Sequence, residues 1–208
     1  MILYLIRHGE TDLNKQKRLQ GQTDIPLNEY GRELARITGR ALREVKFDAV
    51  FSSPLYRAVE TAEIIMGNRD CPFYTDERIQ EISFGDYEGM SYKGTAGAEE
   101  IPCVPDADFL NFFRAPELYV TPPNGESFKE VIARTGDFYR ELTHNPLYRE
   151  RTVLISTHGC ALKALLANMR PTKIRDFWGE GVHRNCAVTI VCVTDDRAEI
   201  LEEGKVYY

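Results

Sequence analysis

Short apolar runs that stop at polar residues or glycine alternate along this chain with segments whose apolar positions recur every three or four residues. Met1 to Ile6 opens the chain, too short for a helix and rich in branched and aromatic side chains. It reads as a buried strand that breaks at Arg7-His8-Gly9. Asn28 is placed to cap a helix running to about Lys46, with Leu34, Ile37, Ala41, Leu42 and Val45 on its apolar side. Phe47 to Phe51 is the next strand. Ser52-Ser53-Pro54 then starts a helix, with Ser53 as N-cap and Pro54 at the first position, and Val59, Ala62, Ile65 and Met66 form its buried side. Ser127 and Glu130 make a capping box for a helix that buries Phe128, Val131, Ile132, Phe138, Tyr139 and Leu142, so Arg134, Asp137 and Arg140 are expected to face water. Thr152 to Thr157 repeats the opening pattern, an apolar strand breaking at His158-Gly159. An apolar helix over residues 160–167 follows, its N-terminus at His158. Ala187 to Val193 and Ala198 to Leu201, joined by a turn at Thr194-Asp195-Asp196-Arg197, complete the sheet.

Strand and helix patterns that alternate in this way predict an α/β fold, and 208 residues suit a single domain, 1–208. The periodicity fades between Ser91 and Pro123. Residues 92–121 are read as an insertion whose Phe109, Leu110, Phe112 and Phe113 are helical, and which is expected to lie as a lid over a pocket.

Net charge narrows the partners. At −6 the chain offers no broad basic surface, so nucleic acid is not expected. Cysteines 71, 103, 160, 186 and 192 show no CxxC spacing, which points to reduced thiols and a cytoplasmic protein. No apolar run approaches membrane length, so a membrane partner is not expected either. Nothing in the pattern speaks to oligomeric state.

The two His-Gly breaks carry the chemistry. Ligands in open α/β sheets sit just outside the carboxyl ends of strands, so His8 and His158 are placed to face one pocket. Arg7 adjoins the first. Arg57 falls in the first turn of a helix, where the dipole disfavours a cation unless an anion stands in front of it. Glu81 lies between Ile79 and Ile82 in a partly apolar segment. Two imidazoles, two guanidiniums and one carboxylate fit phosphoryl transfer. Guanidinium binds phosphate through a bidentate fork, imidazole is a nucleophile near neutral pH, and a leaving alkoxide needs a proton donor such as Glu81. A metal site is the rival use. Two histidines lack a third ligand, the arginines would repel a cation, and HExxH, Walker A and GxSxG patterns are absent. No metal and no cofactor are therefore expected. Asn14, Arg18, Gln20, Gly21 and Gln22 read as a solvated loop, Cys160 as a small buried apolar residue, and His183 receives no role.

At these residues the chain resembles the histidine phosphatase superfamily, in its phosphoglycerate mutase-like branch. The likeness runs through Arg7-His8-Gly9-Glu10-Thr11, Asn14, Gln20-Gly21-Gln22-Thr23-Asp24 and Ser52-Ser53-Pro54 with Arg57. It continues in Glu81 with Phe84-Gly85 and Glu88-Gly89, Gly125-Glu126-Ser127, and Thr157-His158-Gly159. The resemblance implies that His8 is phosphorylated, that Glu81 donates the proton, and that Arg7, Arg57 and His158 bind phosphate. It implies that Asn14, Gln20, Gly21 and Gly159 line the substrate side and that no metal is used. Pattern and resemblance together give an α/β three-layer sandwich with a mostly parallel central sheet and a lid-like insertion after the Glu81 segment. The spacing of Glu81, Phe84, Gly85, Glu88 and Gly89 is similar to the small phosphatases of the family, so a phosphomonoester phosphatase acting on a small phosphorylated metabolite is expected. A cofactor-dependent phosphoglycerate mutase is the alternative within the family. A domain that merely binds phosphorylated ligands is the alternative outside it, and such a binder has no use for Glu81.

Overall fold

The structure is a computed structural model that describes residues 1–92, 103–105, 107–195 and 197–208. The opening run forms strand β1 (Ile2–Arg7), followed by a single turn of helix, α1 (Asp12–Lys15), with a Thr11–Asn14 capping box. Helix α2 (Glu29–Ala41) is capped by Asn28, strand β2 spans Ala49–Ser52, helix α3 Tyr56–Met66 and strand β3 Phe73–Thr75. A 3-10 turn at Ala107–Leu110 leads into the short α4 (Asn111–Arg114), and Ser127 and Glu130 form the expected capping box of α5 (Phe128–His144). Strand β4 (Thr152–Thr157) runs into α6 (Gly159–Met169), and strands β5 (Val188–Thr194) and β6 (Arg197–Lys205) close the described chain.

The sheet order is β3-β2-β4-β1-β5-β6, parallel from β3 through β1 and antiparallel at β5 and β6. Helices α2 and α3 cover one face, where Leu34, Ala35, Ala62 and Ile65 pack on Ile6, Val50 and Leu154. Helices α5 and α6 cover the other through Phe138, Leu142, Leu162 and Leu165 on Leu3, Leu5, Val153 and Ile155. Apolar faces on both sides of a sheet demand cover on both sides, which is the three-layer arrangement expected. A third cluster, including Leu19, Phe84, Phe109, Phe112, Phe128, Phe177 and Trp178, gathers segments that follow β1, β3 and α6.

Several boundaries differ from the pattern. Helix α2 stops at Ala41 because the chain turns at Leu42, whose N–H reaches back to Thr38. Helix α3 begins at Tyr56 with Leu55 as N-cap, so Ser53 and Pro54 precede the helix and do not start it. The exposed edge strand β3 was not expected, since three exposed residues carry no burial pattern. Of the 92–121 insertion, residues 93–102 and 106 lie outside the described residues, as does Asp196 of the expected turn. No described helix is long and apolar enough to cross a membrane.

Candidate active site

Strand register brings the two histidines together. Ile2 pairs with Thr152 and Arg7 with Thr157 in parallel, so His8 and His158 leave adjacent strands at the same height. Their ring centroids stand 5.1 Å apart and both rings are buried. The turn after β1 is held from below by α2. A Cβ on Gly31 would meet the Glu10 carbonyl oxygen at 2.2 Å, so the helix backbone rests directly on the Gly9-Glu10 turn. Gly9 N–H donates to Thr61 Oγ1 (2.9 Å), and Asn185 Nδ2 donates to the His8 carbonyl (3.0 Å).

The orientation of the His8 ring is set by hydrogen bonding. Nδ1 lies 2.7 Å from the Gly9 carbonyl, which can only accept, so Nδ1 carries the hydrogen and Nε2 keeps its lone pair. Burial first, then the charges of Arg57 and Arg7, holds His8 well below the ordinary histidine range. The ring is thus neutral at neutral pH, and its Nε2 lone pair accepts a hydrogen bond from Arg57 Nε (3.3 Å), the nitrogen through which it would act as a nucleophile.

Arg57 is fully buried, and its two terminal nitrogens donate to the carbonyls of Gly21 (2.7 Å) and Thr23 (2.8 Å). Those carbonyls are themselves pinned. Glu88 accepts from Gln22 N, Thr23 N and the Thr23 hydroxyl at 2.6–2.8 Å. Burial draws the Arg57 guanidinium down to about 10. Arg7 is also lowered by burial, and one of its terminal nitrogens donates to the His183 carbonyl. Among the described residues, Arg7 Nε and His158 Nδ1 are buried polar atoms without a hydrogen-bond partner. His158 Nε2 is 2.8 Å from Ser53 Oγ, whose oxygen also accepts from Leu55 N–H.

Glu81 stands at the N-terminus of α6. Its Oε1 accepts from the backbone N–H groups of Ile82, Cys160 and Ala161, each at 3.0 Å, whereas Oε2 meets Cys160 N–H alone, at 3.2 Å. Oε1 is saturated and Oε2 is the oxygen able to carry a proton. A Cβ on Gly159 would lie 3.5 Å from Oε2 and 3.7 Å from Arg7 Nε, so glycine there leaves the floor open between acid and arginine.

These groups border a cavity of about 230 Å³. Arg7, His8, Asn14, Gln20, Gly21, Arg57, Glu81 and Gly159 are among the residues that line it, and His158, its ring 5.1 Å from that of His8, is not. Asn14 Oδ1 accepts from Thr11 N and Asn185 Nδ2, and Gln20 Oε1 accepts from the Thr11 hydroxyl, so each amide nitrogen is left without a hydrogen bond among the described residues. Gly21 acts through its carbonyl on Arg57. Two features escaped the sequence reading, and a third, an apolar wall, was expected only at Phe112 and Phe113. Arg134, expected in water, donates to the carbonyls of Arg78, Gln80 and Glu81 and forms a two-point pair with Glu126, fixing the Glu81 segment. Asn185 bridges His8 and Asn14 from the approach to β5. Tyr92, Phe112, Phe113, Trp178 and Val182 form an apolar wall of the cavity.

A family model for the histidine phosphatase superfamily, branch 1, matches residues 3–205. This chain belongs to that superfamily. The Bacillus subtilis (strain 168) "Uncharacterized phosphatase PhoE" is 36% identical over 165 residues, 79% of this chain and 75% of that protein. A Gloeobacter violaceus "2,3-bisphosphoglycerate-dependent phosphoglycerate mutase 2" is 30% identical over 171 residues, 81% of this chain and 75% of that protein. The solved structure of Bacillus stearothermophilus YhfR superposes with a TM-score of 0.88 at 38% identity, covering 99% of this chain and 97% of that one. The protein is a phosphatase of the histidine phosphatase superfamily with the α/β fold of its solved relatives.

Proposed function

We propose that this phosphatase hydrolyses a small phosphomonoester in two displacements through His8. The observation that carries the reading is Arg7 Nε, a buried donor on the cavity wall with no acceptor among the described residues, close to the neutral His8 ring. A phosphate ester there supplies an acceptor to Arg7, and its remaining oxygen charge faces Arg57, with His158 supporting the His8 ring from 5.1 Å away. His8 Nε2 attacks phosphorus, the bond to the ester oxygen breaks, and the proton on Glu81 Oε2 passes to the departing alkoxide. Water then attacks the phosphohistidine, gives its proton to Glu81, and releases phosphate with His8 restored.

The 230 Å³ cavity is smaller than the roughly 300–1,000 Å³ of pockets for drug-sized ligands, which favours a small metabolite. Asn14, Gln20, Gly21 and Gly159 border the substrate, and the apolar wall suits an alcohol with a flat or apolar face. Tyr92, Phe112 and Phe113 are described residues of the 92–121 insertion that stand on the cavity wall, which supports a lid role for this part of the chain. Five free thiols fit a reducing cytoplasm. The mutase relative favours a second reading, transfer to phosphoglycerate. A panel of phosphomonoesters assayed for both free phosphate and phosphoryl transfer separates the two. Phosphate release without transfer, lost in His8→Ala, is expected. Transfer without release establishes the mutase, and full activity in His8→Ala overturns both.

A further inference from the structure

Arg7 has one anchor. Among the described residues the only hydrogen bond its guanidinium makes goes to the His183 carbonyl, and its Nε has no partner. The direction in which this arginine points is therefore set by where residue 183 sits. The preceding backbone does little to fix it. Gly179 and Gly181 occupy left-handed conformations, at φ +54° and +110°, and a Cβ on either would meet nothing within 4 Å.

Residue 183 is held by its own side chain together with the backbone that follows it, where Cys186 N–H donates to the Arg7 carbonyl (2.9 Å). The His183 ring is 8% exposed and its Nε2 lies 3.3 Å from Glu203 Oε1 on β6. Glu203 is held in turn by Lys163 of α6 (3.2 Å) and by both terminal nitrogens of Arg170 (2.7 and 3.1 Å). The strand is shaped to receive the ring. Val188 pairs with Lys205 but Ile190 with Glu202, a register shift that inserts one extra residue into β6. Gly204, at φ +68°, lies beside the ring, and a Cβ there would stand 3.4 Å from His183 Cδ2. Burial, followed by the charge of Lys163, lowers His183 to about 4, so the ring is neutral and its Nε2–H donates to Glu203.

We infer that His183 is a positioning residue: clamped by Glu203 against the β6 bulge, it holds its own carbonyl where that carbonyl aims Arg7 at the substrate phosphate. The inference rests on the proposed phosphate site. It is separable from a purely structural role, because a residue that acts through Arg7 has nothing left to act on once Arg7 is gone.

The test is calorimetric titration of inorganic phosphate into wild-type protein, His183→Ala, Arg7→Ala and the double variant, with His183→Gln as rescue, since its carboxamide can still donate to Glu203. His183→Ala is expected to weaken phosphate about tenfold, which is about 1.4 kcal/mol. His183→Gln is expected to recover most of that, and His183→Ala in the Arg7→Ala background is expected to change affinity less than about twofold. Unchanged affinity in His183→Ala, or an equal loss in both backgrounds, overturns the inference. If His183→Ala does not fold, Glu203→Ala, which removes the acceptor, replaces it, with the same dependence on Arg7 expected and its absence equally decisive. Failure of wild-type protein to bind phosphate refutes the site itself, a different result from either.

Discussion

Replacing Arg57 by alanine sets two opposing energies against each other. The side chain gives charge-assisted hydrogen bonds to the carbonyls of Gly21 and Thr23. At roughly 1.5–3 kcal/mol each, their loss costs about 3–6 kcal/mol. Against this, burial has drawn the guanidinium from 12.5 to about 10. At about 1.36 kcal/mol per pH unit, on the order of 3 kcal/mol is spent keeping it charged, and the substitution returns that. The space left opens onto the cavity that Arg57 lines, so water fills it and no dry void forms. The net cost to stability is about 0–3 kcal/mol, a melting temperature lowered by at most about 10 °C in a chain of this length. Activity has no such compensation. Removing a charge clamp on a transferring phosphoryl group costs about a thousandfold or more. Thermal melting and kcat/KM on an aryl phosphate, measured on the same Arg57→Ala preparation, check both halves. Added phosphate is expected to raise the melting temperature of wild-type protein and to leave the variant nearly unmoved. A drop in melting temperature beyond about 15 °C, or kcat/KM within tenfold of wild type, refutes the reasoning.

Two further outcomes follow from the same geometry. Arg134→Ala frees three carbonyls around Glu81 and is expected to lower kcat about 10–100-fold, as small misplacements of a catalytic group do, with KM little changed. The loss should be larger for alkyl than for nitrophenyl phosphates, whose leaving group needs no proton, and equal losses remove Glu81 as the beneficiary. The pH profile of kcat/KM, corrected for titration of the substrate, is expected to hold well below the ordinary histidine value near 6.5, because the His8 pKa is lowered and the nucleophile stays neutral there. It should fall as pH rises through about 10, where Arg57 loses its charge, and a loss of activity as pH falls through 6.5 or above counts against His8.

The chemistry of this site was legible where it is local. The breaks at Arg7-His8-Gly9 and His158-Gly159 announce themselves because a strand's apolar run and its polar end are contiguous, and sheet register does the rest. The positioning apparatus was not legible, because its partners are distant in the chain and mostly backbone. Arg134 sits on the polar side of an amphipathic helix, and no pattern says that this side meets the carbonyls of residues 78–81. Ser53 carries the signature of a helix cap, yet its hydroxyl serves His158, 105 residues away. Gln20 and Gly21 were expected at the substrate. They do border the cavity, but Gly21 works through Arg57, and one end of Gln20 is spent on Thr11. The aromatic wall was visible as composition at Phe112 and Phe113, while its contact with Trp178 required the fold.

Rapid-quench trapping with an isotopically labelled phosphomonoester, followed by peptide mapping, addresses the phosphoryl acceptor itself. The label is expected on Nε2 of His8, to appear before free phosphate does, and to be lost in acid while surviving base. Label on any other side chain, or phosphate released at full rate with His8 unlabelled throughout, means that the nucleophile has been misassigned.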